Sequence, residues 1–176
     1  MSSSQPNLFV SVADSVVLVK IRGRASFTIS ADFKNLIHGL VQRGYQRFIL
    51  DLSECLVMDS TFLGVLAGVG QKLAGSAKNN GSPSIELFRP NQRVSELLDN
   101  LGVAHLFKFV NGAQSLPEKV DSMRPVVPEA SREELCRTCL EAHLTLMDIN
   151  PANVPKFKEV AKFLAEDLEK LQAQKS

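Results

Sequence analysis

No apolar stretch in this 176-residue chain approaches the roughly 20 residues needed to span a bilayer. The start, Met1–Asn7 (MSSSQPN), lacks the basic and apolar regions of a secretory signal. Membrane insertion and export are therefore not expected, and a cytoplasmic location is. Net charge is +1, with 13 Lys and Arg against 10 Asp and Glu in residues 1–125, and 7 against 9 in residues 126–176. Neither part has the basic excess on which binding to a phosphate backbone depends, so nucleic acid is not an expected partner. Cysteine is scarce and odd in number: Cys55, Cys136 and Cys139 read as free thiols in a reducing compartment. The G-x-S-x-G elbow, H-E-x-x-H, the Walker loop and the dinucleotide fingerprint do not occur, and Gly68-Val69-Gly70 falls inside a predicted helix. No enzymatic activity and no cofactor are implied.

What is present is a soluble globular composition, 44% hydrophobic and 22% charged, in a chain long enough for one core and an appendage. Leu8–Ala13 and Val16–Arg22 are apolar, β-branched runs separated by the turn residues Asp14-Ser15, which predicts a hairpin. Ser30 is placed to cap a helix in which Phe33, Leu36, Ile37, Leu40 and Val41 recur at amphipathic spacing, closed by Gly44. Arg47–Leu52 reads as a strand buried in a mixed or parallel sheet, and Thr61–Lys72 as a helix pressed against it. A Gly/Ser/Asn stretch at Gly75–Ser84 precedes a strand at Ile85–Phe88. Asn91 opens a helix ended by Gly102, Leu106–Val110 adds a short strand, and a helix is placed from Gly112 to Met123. This order predicts one α/β domain over residues 1–123, a mixed sheet covered by helices.

Residues 124–130 contain two prolines and read as a stiff linker. Beyond it, over residues 131–176, Ser131 with Glu134 makes a capping box for a helix to about Met147. Asp148–Pro155 must turn, and Phe157, Ala161, Leu164, Leu168 and Leu171 form a heptad-like stripe on a closing helix. This C-terminal helical hairpin either braces its own domain or pairs with a second copy. The linker, expected to hold it away from its own domain, favours a homodimer through the hairpin.

The most informative segment runs from Asp51-Leu52-Ser53 through the intervening Glu54–Met58 to Asp59-Ser60-Thr61-Phe62-Leu63-Gly64. A hydroxyl at the mouth of a helix faces unpaired backbone N–H groups and the positive end of the macrodipole, where a phosphate is tolerated. Ser60 is thus chemically suited to phosphorylation. The competing reading, Asp59 or Ser60 as a plain helix cap, is outweighed by the strand before it, the apolar helix after it and Gly64 in register.

These residues resemble the hallmark of the STAS domain, a strand ending D-[LF]-S, a short loop, then D-S-[ST]-G-L-G opening a helix, with five of six hallmark positions matched. The resemblance covers roughly Leu8–Met123, including R-P-N-x-x-V-x-x-L-L at Arg89–Leu98. It implies a bacterial anti-sigma factor antagonist, acting in transcription regulation by partner switching. In that family an anti-sigma factor with serine-kinase activity modifies the first hydroxyl after the Asp, here Ser60. Phosphoserine beside Asp59 would repel a partner surface built for a neutral hydroxyl, so phosphorylation switches association off. Asp59, Thr61, Phe62 and Ser26 become the expected partner-binding residues. Two of them depart from the family pattern: Phe62 replaces a glycine, placing a ring beside the acceptor, and Ser26 replaces an aspartate.

Cys136, Cys139 and His143 lie on one face of a predicted helix, but a structural zinc site takes four ligands, so no metal site is assigned. His38 and His105 stand alone and read as structural or surface residues. Two alternatives accompany the phosphorylation switch. One is a constitutive STAS scaffold or accessory subunit of a lipid-transport ATPase or sensory assembly; the other is a metal- or redox-responsive protein using the tail cysteines.

Overall fold

The structure, a computed structural model, describes residues 7–75, 84–112 and 123–175. The strands are β1 (Leu8–Ala13), β2 (Val16–Ala25), β3 (Arg47–Met58), β4 (Ser84–Phe88), β5 (Lys108–Val110) and β6 (Arg124–Pro125). The helices are α1 (Phe27–Gln42), α2 (Ser60–Gly75), α3 (Gln92–Asn100), α4 (Arg132–Ile149) and α5 (Val154–Ala173). The strands form one mixed sheet ordered β5-β4-β3-β2-β1-β6. β1 runs antiparallel to β2 and β6, and β2, β3, β4 and β5 are parallel neighbours.

Alternation along β2 sends Val17, Val19 and Ile21 to the face that the helices cover, while Leu18 joins Ile49 and Phe88 in a smaller cluster. The main core continues through Phe48, Leu50 and Leu52 of β3 into Phe62, Leu63 and Leu66 of α2 and Phe33 and Ile37 of α1. Asp14, with φ of 56°, adopts at the hairpin turn the left-handed conformation that Asp tolerates.

Two boundaries move toward the site. β2 and β3 continue past the predicted ends to Ala25 and Met58, with shifts in register after Lys20 and Gly23. Glu54–Met58, read from sequence as a loop, is therefore strand, because the end of β2 pairs with it. α1 starts at Phe27 with Ser26 in the cap position, and Ser30 lies within the helix, donating to the Phe27 carbonyl at 2.7 Å. The R-P-N segment is structural: Asn91 caps α3 by accepting from the Val94 N–H, and its amide donates to the Cys55 and Leu56 carbonyls of β3. The expected breaker stretch after Gly75 and the helix expected before Met123 lie largely outside the described residues.

The hairpin does not stand away from its domain. The linker begins as β6, where Pro125 is tolerated because it sits on the sheet edge, and the Val126 N–H donates to the Leu8 carbonyl. Further on, the Glu129 N–H donates to the Asp32 carboxylate, drawing the chain along α1. α4 then lies on α2, with Thr138, Cys139, Ala142, His143 and Leu146 buried. Lys34 pairs with Glu141 and Asn35 with Glu134, both at 2.6 Å. The buried Asn153 amide donates to the Leu101 and Leu146 carbonyls. The expectation that the prolines hold the hairpin away from its own domain is corrected. Those prolines sit on a path already hydrogen-bonded to the domain, and the stripe of α4 is covered in the same chain.

Candidate functional site

The end of β3 delivers Asp59 to the start of α2, with its N–H held by the Ala25 carbonyl. One Asp59 carboxylate oxygen accepts from the Phe62 N–H at 2.8 Å and the other from the Phe27 N–H at 2.7 Å. One side chain thus caps α2 and also satisfies the first N–H of α1, placing Ser26 alongside. Asp59→Ala is expected to cost about 1–3 kcal/mol in denaturant unfolding, the sum of a lost cap and an unpaired amide. A loss below about 0.5 kcal/mol would show that water replaces both bonds.

Ser60 follows as the first residue of α2 and is half-buried. Its hydroxyl lies 3.0 Å from His143 Nε2 of α4, a partner 83 residues away. His143 is 4% exposed, and its Nδ1 lies 2.7 Å from the Cys139 carbonyl oxygen. A carbonyl can only accept, so in the neutral ring Nδ1 carries the proton and Nε2 presents its lone pair to Ser60. Phe157 of α5 meets the ring edge-on with centroids 5.1 Å apart, fixing its plane.

The other expected partner-binding residues divide. Ser26 is half-exposed, with its hydroxyl 2.7 Å from that of Thr28. Thr61 is buried beneath α4, beside the Cys139 thiol. Phe62 is corrected outright: its ring is 0% exposed and packs on Phe33 with centroids 4.9 Å apart. In the first turn of α2 the ring points opposite to Ser60, into the core, and offers a partner no surface. Sequence reasoning missed Phe27, 48% exposed at the same edge of the domain. It also missed the role of His143.

Cys136, Cys139 and His143 share a helix face but not a target. The Cys136 thiol donates to the Leu164 carbonyl of α5, Cys139 meets Thr61, and His143 reaches Ser60. Burial pushes the Cys139 thiol up, and the Asp59 charge adds to it. Burial likewise pushes up Cys136, aided by Asp167. Both shifts run against the thiolate that metal binding and redox chemistry require. His38 lines a cleft between α1, α2 and α4, where burial and then Lys72 and Lys34 push it down, and His105 is exposed.

A family model described as STAS domain matches residues 8–116. The hairpin, from residue 131 on, lies beyond that match. No match was found among curated proteins. Among solved structures, TM1081 of Thermotoga maritima is similar at 20% identity and a TM-score of 0.53, covering 60% of this chain and 87% of its own. SpoIIAA of Bacillus, an anti-sigma factor antagonist solved in unphosphorylated form, is similar at 14% identity and 0.53, covering 61% and 90%. An anti-sigma factor antagonist from Mycobacterium paratuberculosis is similar at 15% and 0.52, covering 65% and 92%. At these identities the likenesses establish the fold.

Proposed function

The chain belongs to the STAS domain family, and from that premise we propose that it is a cytoplasmic protein-binding regulator of the anti-sigma factor antagonist type, switched by phosphorylation of Ser60. The observation that carries this reading is the position of Ser60: a half-buried serine, first in α2, directly after the capping Asp59. The proposed partner is an anti-sigma factor with serine-kinase activity. SpoIIAA, which shares this fold, is known in both phosphorylated and unphosphorylated forms.

Ser60→Asp is expected to weaken binding to the anti-sigma factor by about tenfold or more in Kd, about 1.4 kcal/mol, while Ser60→Ala preserves it. Calorimetry with the purified partner measures both, and peptide mapping after incubation with the kinase and ATP is expected to place one phosphate on Ser60. Phosphate on Thr61 alone, or equal binding by the two variants, would remove the switch. That result would favour the second reading, a constitutive scaffold or accessory subunit, for which the covering of α2 by α4 and the absence of an acid at Ser26 speak.

A further inference from the structure

Ser60 and His143 form more than a contact between tail and domain. A hydroxyl, an imidazole and an acceptor for the second ring nitrogen follow one another in a hydrogen-bonded chain: Ser60 Oγ, His143 Nε2 at 3.0 Å, and the Cys139 carbonyl 2.7 Å from Nδ1. This is the arrangement by which a serine is made nucleophilic, with the base oriented by a third group. The ring cannot readily swing away, because it is 4% exposed and edge-on to Phe157.

We propose that Ser60 and His143 are a built-in nucleophile and general base, and that Ser60 is reactive toward phosphorus electrophiles without a base from any partner. In the step, Oγ forms a bond to phosphorus and its proton passes to His143 Nε2. The bond from phosphorus to the leaving group breaks, and that group departs with the electron pair. The product is a phosphorylated or phosphonylated serine beside an imidazolium, so the pair acts once and is an acceptor, not a turnover catalyst. The base comes from α4, outside the segment matched to the family, so the chemistry is a property of this chain's own tail. It goes beyond the switch proposed above, since it needs neither kinase nor partner.

The test uses the full chain and a fluorophosphonate probe, whose leaving group is fluoride. Wild type is expected to carry one adduct, mapped to Ser60 by mass spectrometry, and Ser60→Ala none. His143→Gln keeps a side chain able to accept the Ser60 hydrogen bond but unable to take its proton. Labelling should fall by about a hundredfold or more, the usual contribution of a general base, with the unfolding midpoint near that of wild type. Imidazole added to His143→Ala should restore part of the rate, which a purely structural role for His143 would not allow. Equal labelling of wild type and His143→Gln, or no adduct on Ser60 in wild type, would overturn the proposal. Labelling without phosphorylation by the kinase would remove the switch and leave the pair; phosphorylation without labelling would do the reverse.

Discussion

Phe62→Gly is expected to leave the protein close to unfolding, not to open Ser60 to a kinase. Removing a fully buried phenyl ring costs about 3–5 kcal/mol, and glycine inside a helix adds about 1 kcal/mol. A domain of this kind is stable by about 5–15 kcal/mol in total, so the loss consumes much of it. The ring is 0% exposed and its neighbour Phe33 is 1% exposed, so water cannot refill the space without reaching the centre of the core. Urea unfolding should show a large fall in midpoint with a similar slope. A loss under about 1 kcal/mol would mean that α1 and α2 can close over the gap.

Gly64→Val is expected to drive α4 off α2. A Cβ at Gly64 would overlap the Ala142 carbonyl oxygen and come within 2.7 Å of its carbon and 2.8 Å of the Ala142 Cβ. Two of these three atoms are backbone, so no rotamer change relieves the clash, and overpacking of about 1–3 kcal/mol is a lower bound. Gly68 makes the control, because a Cβ there meets Thr145 side-chain atoms at 3.7 and 3.9 Å, ordinary contact. Gly68→Ala should therefore be neutral or stabilising by up to about 1 kcal/mol through helix propensity. Cys139 reports the outcome, since it is buried against α2 in the native state. With Cys55 and Cys136 changed to Ser, Cys139 should react faster with a thiol reagent in Gly64→Val and not in Gly68→Ala. Unchanged labelling in Gly64→Val would mean that the helices slide apart without separating.

Glycine 64 also shows how sequence and structure divide the argument. As the last hallmark position it was legible as part of a motif, yet its steric reason is the backbone of α4, which sequence spacing does not connect to it. Asp59 behaved similarly. Its capping of α2 follows from the residue type and the apolar run after it, but its bond to the Phe27 N–H requires β2 and β3 to end side by side.

Most strands and helices of the α/β layer follow from the sequence by itself, because periods of two and of three to four apolar residues specify which face of each element is buried; β6 and the run of β3 through Glu54–Met58 follow only from pairing with β1 and β2. The sequence also singles out Ser60 as the proposed acceptor, through local order: a strand, an acid, a hydroxyl and an apolar helix. Contacts between residues far apart in the chain were decided only by the tertiary structure. From the motif, Phe62 places a ring beside the acceptor, because the motif carries no phase for its first helical turn, whereas packing turns it onto Phe33. Helical spacing groups His143 with Cys136 and Cys139, because it records only neighbours on its own helix. Its actual partner was set when hydrogen bonds along β6 and α1 brought the tail back across α2, making a hydroxyl and an imidazole 83 residues apart into one site.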